Sequence, residues 1–268
     1  MPEGDTLFRT AAGLAPYLVG RPVTAARTRP GGAQVGRVVG ATIEAVEAHG
    51  KNLLIRFDNG LEIRTHLRMN GTWHRYRPGE RWRRSPSRAR LVVEVPGAVA
   101  VCFDAPVVEL FETRSESLHP TLSRLGPDLL DPAWGPAEAE EARSRLRDPT
   151  RAGLTISEAL LDQGAVAGIG NIWRNETLFA ERVDPWTPVA DVDDATLDRL
   201  VETARRKLRD SAGSAPGRAP MAAYRRTGRP CPRCGAPIRS APLAAEIPRT
   251  TYWCPRCQPG PGSDDARD

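Results

Sequence analysis

Two short thiol pairs, Cys231-Pro-Arg-Cys234 and Cys254-Pro-Arg-Cys257, lie nineteen residues apart near the end of the chain. Each Cys-x-x-Cys turn offers two thiolates to one side of a tetrahedral ion, and the spacing matches a four-cysteine zinc site. To close such a site the chain must double back, and APIRS (236–240) and TTYW (250–253) are placed to form that hairpin. Four sulfurs would fill the coordination shell, so the expected cofactor is one structural Zn2+ rather than a catalytic metal. The competing reading is four unrelated cysteines. The fifth cysteine, Cys102, stands outside the pattern. The opening residues MPEGDTLFRT carry acids and no apolar run, so no secretory leader is expected, and no stretch of about 18 apolar residues suggests a membrane span. A cytoplasmic location is expected, where thiols favour zinc over disulfides.

The remaining pattern divides the chain. With 268 residues, 40% hydrophobic and 26% charged, it is long for one domain and comfortable for two or three. Residues 3–19 read as an amphipathic helix with an acidic start, ended by Gly20 and Pro22. From Val23 to about Glu112 the hydrophobic period falls to two. NLLIRF and LEIRTHL flank Asp58-Asn59-Gly60, and LVVEV and AVAVCF flank Pro96-Gly97, as hairpins of a β-sandwich. GPDLLDPAWGP (126–136) has the composition of a linker, and helical patterns follow at about 137–147, 155–163, 171–181 and 194–210. SAGSAPGRAP (211–220) reads as a flexible loop and the last ten residues as a disordered tail.

Charge points weakly to a polyanion. The net charge is +5, and twelve Lys or Arg stand between Arg205 and Arg256 against two acids, Asp210 and Glu246. This is either a phosphate-binding surface or a solvated basic face. Gly164, Gly168 and Gly170 permit positive φ ahead of IWRNETLFAE, where Asn171 is placed to cap a helix start. Such an N-terminus suits a phosphate, although an ordinary turn between packed helices has the same sequence. Pro2, once Met1 is removed, is a secondary amine able to form an iminium ion directly, with Glu3 beside it as a proton donor or acceptor. Many chains begin Met-Pro-Glu, so this start alone decides nothing. Only two of the 38 basic residues are lysines, Lys51 and Lys207. Either Lys51 answers a need for an ammonium group that can lose its proton, or its place is chance.

Taken together, MPEGD, Gly50-Lys51, HLRMNG (66–71), SRLGPDLLDP (123–132), the GIGN turn and RTTYWCPRCQ (249–258) resemble, in order, the formamidopyrimidine-DNA glycosylase / endonuclease VIII family. The resemblance covers about residues 1–258 and implies a base-excision-repair DNA glycosylase and abasic-site lyase acting on damaged DNA. It implies Pro2 as Schiff-base nucleophile, Glu3 as proton donor, Lys51 in β-elimination, and Arg249 as a phosphate contact assigned to δ-elimination. Arg124 and Asn171 match further DNA-phosphate contacts, and Arg68, Met69 and Asn70 the loop filling the hole left by a flipped base. MPEGD is similar to the endonuclease VIII branch, in its actinobacterial-type second paralogue. Phe103 to Phe111 lacks the Arg-Phe pair of the other branch, which implies oxidised pyrimidines as targets. The wedge Arg68-Met69-Asn70 differs from the Gln-Leu-Tyr of bacterial endonuclease VIII. The implied fold is α+β and multidomain: an N-terminal β-sandwich with a flanking helix (1–125), a linker (126–136), a helix–two-turns–helix domain (137–220), a four-cysteine zinc finger (221–258) and a tail (259–268). A monomer is expected. A zinc-ribbon regulator accounts for the cysteines and the charge, but not for Pro2, Glu3 and Lys51 together.

Overall fold

The computed structural model describes residues 2–214, 221–243 and 249–260. The chain forms two compact units, Met1–Arg124 and Leu125–Asp268. In the first, helix α1 (Gly4–Leu18) buries Leu7, Ala11, Leu14 and Leu18, the stripe that a 3.6-residue period places on one face. That face packs on strands β2 (Ile43–His49) and β3 (Asn52–Phe57). Two four-stranded antiparallel sheets make the sandwich. One runs β1 (Ala25–Thr28), β6 (Ala89–Val95), β7 (Ala98–Phe103), β5 (Thr72–Tyr76); the other runs β2, β3, β4 (Leu61–His66), β8 (Val107–Glu112). Both hairpins expected from the sequence are present, as β3–β4 and β6–β7.

Period-two alternation decides what each sheet face carries. Leu53, Ile55, Phe57 and Ile63 point into the core with α1. Asn52, Arg56, Glu62, Arg64 and His66 share the opposite face, because the register pairs Asn52 with His66 and Arg56 with Glu62. Strand β8 extends this polar face by setting Glu109 directly opposite Arg64.

The second unit gathers around helices α2 (Pro136–Leu146), α3 (Ile156–Ala159), α4 (Asn171–Glu181) and α5 (Asp194–Gly213). Helix α3 is much shorter than the 155–163 expected, because Leu160 to Gln163 turns toward the glycine loop. The stretch 126–136, expected as a linker, packs into this unit. Leu129 and Leu130 are buried with Leu146, Ile156 and Leu200, so its prolines and glycines shape a folded turn. Of Gly164, Gly168 and Gly170, only Gly168 takes a positive φ, +98°. Ser211 to Gly213 complete α5; the rest of the expected flexible loop, 215–220, and tail residues 261–268 lie outside the described residues. Strands β9 (Arg239–Leu243) and β10 (Arg249–Trp253) form the antiparallel hairpin, the first starting three residues later than the expected APIRS. Among the described residues, no helix is long and apolar enough to cross a membrane.

Candidate active site and metal cluster

In the first unit the N-terminal residues converge with the HLRMNG loop. Glu3 is the N-cap of α1 and is fully buried, and its carbonyl accepts the N–H groups of Thr6 and Leu7. A carboxylate at a helix N-terminus lies at the positive end of the helix dipole. Pro2 is half-buried and lines an open pocket of about 400 Å³ with Thr6, Met69, Asn70, Gly71, Thr72, Arg84 and Arg88. The pocket thus joins the proposed nucleophile to two members of the expected wedge.

The Leu67–Gly71 loop has a defined shape. The Gly71 N–H donates to the Leu67 carbonyl at 2.9 Å, closing a tight loop. A Cβ on Gly71 would lie 2.6 Å from that carbonyl oxygen, so the residue must be glycine by close approach. Arg68 takes the left-handed conformation, φ +44°, and Met69 is 60% exposed, far more than a methionine needs for packing within its own unit. Arg84 steadies the loop: its Nη1 lies 3.5 Å from the Asn70 carbonyl and 2.6 Å from Asp104. Arg88 bonds the same carboxylate, and the two guanidiniums, Arg88 foremost, hold Asp104 below the usual carboxylate range. The stretch 103–111, which lacks the Arg-Phe pair, forms the Asp104 turn and most of β8 instead of a wedge.

Lys51 occupies the two-residue turn Gly50-Lys51 between β2 and β3, with Gly50 at φ +58° supplying the positive angle such hairpins require. His66 ends β4 opposite Asn52. Burial first, then the charges of Arg64, Lys51 and Arg68, push its imidazole down to about 4. Its Nδ1 accepts the Arg68 N–H at 3.2 Å, which assigns the proton of the neutral ring to Nε2. His66 and Arg84 were not singled out from the sequence. His66 had a signal in opening the HLRMNG motif; Arg84 had none, since Asp104 and Asn70 reach it only in the folded sheet. Arg124 is exposed on a short 3₁₀ turn, Leu122–Arg124.

The second unit brings Asn171 and Arg249 to adjoining elements. Asn171 is the first residue of α4, behind the N-cap Gly170, so it does not cap the helix as expected. Its Nδ2 instead donates to the carbonyl of Thr250 at 3.2 Å, next to Arg249 at the start of β10. Arg174 bonds the Thr250 carbonyl and the Thr251 hydroxyl, and the Asn175 carboxamide accepts the Tyr252 N–H at 2.7 Å. One turn of α4 is therefore stitched to the strand that carries Arg249.

The four cysteines meet beyond β10. The sulfurs of Cys231, Cys234, Cys254 and Cys257 all lie within 4.8 Å of one another, with Cys231–Cys257 at 3.9 Å and Cys234–Cys254 at 3.4 Å. Zn–S bonds of about 2.3 Å in a tetrahedron need S···S edges of about 3.8 Å, so the thiol set fits a zinc-sized ion. Gly235, at φ +75°, lets the first knuckle close as its N–H reaches the Cys231 carbonyl. Cys102 lies in β7, fully buried, and burial pushes its thiol up, away from any role as a thiolate ligand.

Residues 1–106 match the formamidopyrimidine-DNA glycosylase N-terminal domain, and residues 125–215 match the formamidopyrimidine-DNA glycosylase H2TH domain. The chain belongs to the formamidopyrimidine-DNA glycosylase family. Its similar relatives include a probable endonuclease 8 2 of Streptomyces coelicolor, 38% identical with 97% of this chain and 95% of that protein covered. A DNA-(apurinic or apyrimidinic site) lyase, Nei2, of Mycolicibacterium smegmatis is 35% identical, covering 96% of this chain and 99% of that protein. A crystal structure of Lactococcus lactis formamidopyrimidine-DNA glycosylase bound to abasic-site DNA shares the fold, with a TM-score of 0.83 at 22% identity over 97% of this chain and 100% of that one.

Proposed function

We infer that this glycosylase-family chain is a base-excision-repair DNA glycosylase and abasic-site lyase that works through Pro2 and removes oxidised pyrimidines. The observation that carries the reading is the pocket in which Pro2 meets Met69 and Asn70, with the buried Glu3 next in the chain. A lesion within a duplex is out of reach, so its nucleotide must leave the stack. Met69, exposed on a closed loop, has the shape of a wedge for the vacated space, with Arg68 and Asn70 flanking it. Arg124, Asn171 and Arg249 hold phosphates, which position the duplex without reading sequence.

The chemistry follows from the amine. The lone pair of the Pro2 nitrogen, freed by removal of Met1, attacks C1′, and the bond from C1′ to the damaged base breaks with its electrons going to the base. Glu3 gives a proton to the ring oxygen as the sugar opens, leaving an iminium ion between Pro2 and C1′. The iminium acidifies the C2′ proton. Lys51 promotes its removal as the 3′ phosphate leaves, and a second elimination, assisted by Arg249, releases the 5′ phosphate. The preference for pyrimidines is supported by the 103–111 stretch, which forms a turn and a strand in place of an Arg-Phe wedge. The four cysteines hold one structural zinc ion, supported by their spacing and their complete sulfur shell.

Borohydride trapping on an abasic-site duplex tests the reading. Protein with a free Pro2 should give a covalent adduct, whereas protein retaining Met1 should give none, because an amide nitrogen is not nucleophilic. Glu3→Gln should bind lesion DNA as the parent does and lose base excision. An adduct formed with Met1 retained, or excision at the parent rate by Glu3→Gln, overturns the assignment.

A further inference from the structure

The polar face of the β2–β3–β4–β8 sheet carries an unbroken hydrogen-bonded chain between the turn that holds Lys51 and the turn that holds Arg124. Asn52 follows Lys51 and donates from Nδ2 to the His49 carbonyl at 3.0 Å, across that turn. Its Oδ1 accepts Nε of Arg64 at 2.8 Å, and the buried Arg64 sends Nη1 to Oε2 of Glu109 at 2.5 Å. The same Oε2 lies 3.2 Å from Nε2 of His119, whose side chain is 11% exposed. On its other edge, His119 Nδ1 accepts the backbone N–H groups of both Thr121 and Leu122 at 3.2 Å. These two bonds assign the proton of a neutral ring to Nε2, the nitrogen that faces Glu109. The His119 carbonyl accepts the Ser123 N–H at 3.1 Å and its hydroxyl at 2.7 Å, winding the chain into the turn that ends at Arg124.

We propose that Glu109 and His119 are positioning residues that fix Arg124 relative to Lys51, through the chain Asn52–Arg64–Glu109–His119. This rests on the reading that Arg124 grips a phosphate and Lys51 acts on the sugar. Stability alone is a weak reason for such a chain. A partly exposed ion pair contributes little to stability, and a buried ion pair replaced as a whole by well-packed apolar residues often costs nothing. What the chain provides is direction. A forked guanidinium and an imidazole with both nitrogens committed leave little rotational freedom, and a catalytic group displaced by about 1 Å can lose a hundredfold in rate. The Arg124 turn is closed by the Arg124 N–H on the Thr121 carbonyl at 3.3 Å and anchored by the buried Leu122, and the His119 ring takes the two N–H groups that open it.

The two edges of His119 can be separated chemically. His119→Asn places an oxygen near the Nδ1 position, so it still accepts the Thr121 and Leu122 N–H groups while losing Glu109. His119→Gln reaches Glu109 and gives up the turn. Binding to an abasic-site duplex is measured across salt concentrations for both variants, for Arg124→Ala, and for the double variant His119→Gln with Arg124→Ala; thermal unfolding checks that each is folded. His119→Gln should weaken binding and lower the log–log salt slope by about one unit, as loss of one phosphate contact does. The double variant should bind no worse than Arg124→Ala, because the two act through one contact. His119→Asn should keep the parent slope, since the turn stands, and slow β-elimination about tenfold, since the chain toward Lys51 is cut. One oxygen of Glu109 takes both of its partners, which a carboxamide oxygen would also do, so the other end is tested with Glu109→Leu. At saturating DNA it should slow β-elimination about tenfold, a barrier change of about 1.4 kcal/mol, with Schiff-base trapping unchanged. Additive losses in the double variant, an unchanged salt slope for His119→Gln, or parent-rate elimination by His119→Asn or Glu109→Leu would overturn the proposal. Absence of trapping in the parent would instead overturn the function assigned above, whatever the cycle shows.

Discussion

His66 lies in the field of Arg64, Lys51 and Arg68, and its burial and that field hold the imidazole at about 4. It therefore stays neutral near pH 7, keeping Nδ1 free to accept the Arg68 N–H and shape the start of the Leu67–Gly71 loop. The unfolded chain would protonate this histidine near 6.5. Between the two values the unfolded state binds a proton that the folded state refuses, so stability rises with pH in that window and is lost as pH falls from about 6.5 toward 4. At pH 5 the loss should be about 1–2 kcal/mol, after discounting for the solvent that still reaches a half-buried ring. His66→Asn keeps an acceptor near Nδ1 and removes the titration. Urea midpoints at pH 7 and pH 5 should converge for this variant more than for the parent; equal losses in both would show that His66 is not linked to folding.

At the scale of elements, the Leu67–Gly71 loop depends on a glycine that its close backbone approach requires, and the α4–β10 contact on side chains that bond the strand. Gly71 passes so close to Leu67 that a methyl group would strike its carbonyl oxygen and its Cα, atoms that cannot rotate aside. Gly71→Ala should therefore break the closing hydrogen bond and destabilise the first unit by about 1–3 kcal/mol, as overpacking against fixed atoms does. Because Met69 sits at the crest of that loop, base excision should fall further than the loss of folded protein explains. Calorimetric melting alongside excision under saturating DNA checks this, and a variant with parent stability and parent excision contradicts the geometry. On α4, the side chains of Asn171, Arg174 and Asn175 all bond the β10 backbone or Thr251. That contact fixes the strand that carries Arg249.

At the scale of the whole molecule, the two units have separate cores. The main core of the first draws on α1 and sandwich residues up to Leu110, and the cluster around the cysteines draws on Phe179, Ala223 and Ile238. On the reading that the four cysteines hold zinc, metal binding supplies much of the folding free energy of so small a hairpin. Cys254→Ser should therefore release zinc, loosen β9–β10 and weaken DNA binding, while leaving the sandwich folded. Metal analysis, together with hydrogen exchange resolved by region, checks the prediction. Loss of protection in β6 and β7 on a par with β10 would show that the units do not fold separately.

The sequence by itself determined the period-two sandwich, the α1 stripe and the four-cysteine set, because each depends on local spacing, whereas the loop from His66 to Gly71 is legible only through the family resemblance. A Cys-x-x-Cys turn, an Asp-Asn-Gly hairpin or an amphipathic stripe specifies its own geometry within a few residues. Only the tertiary structure decided that Asn171 bonds Thr250 rather than capping its helix, since its partner lies 79 residues away. The same holds for the packed 126–136 stretch, whose prolines and glycines suggest a loop but whose Leu129 and Leu130 find a buried face among later helices. Arg64, Glu109 and His119 carry no signal of their own in the sequence. Their chain exists because strand register sets Arg64 opposite Glu109, and register depends on pairing between strands distant in sequence.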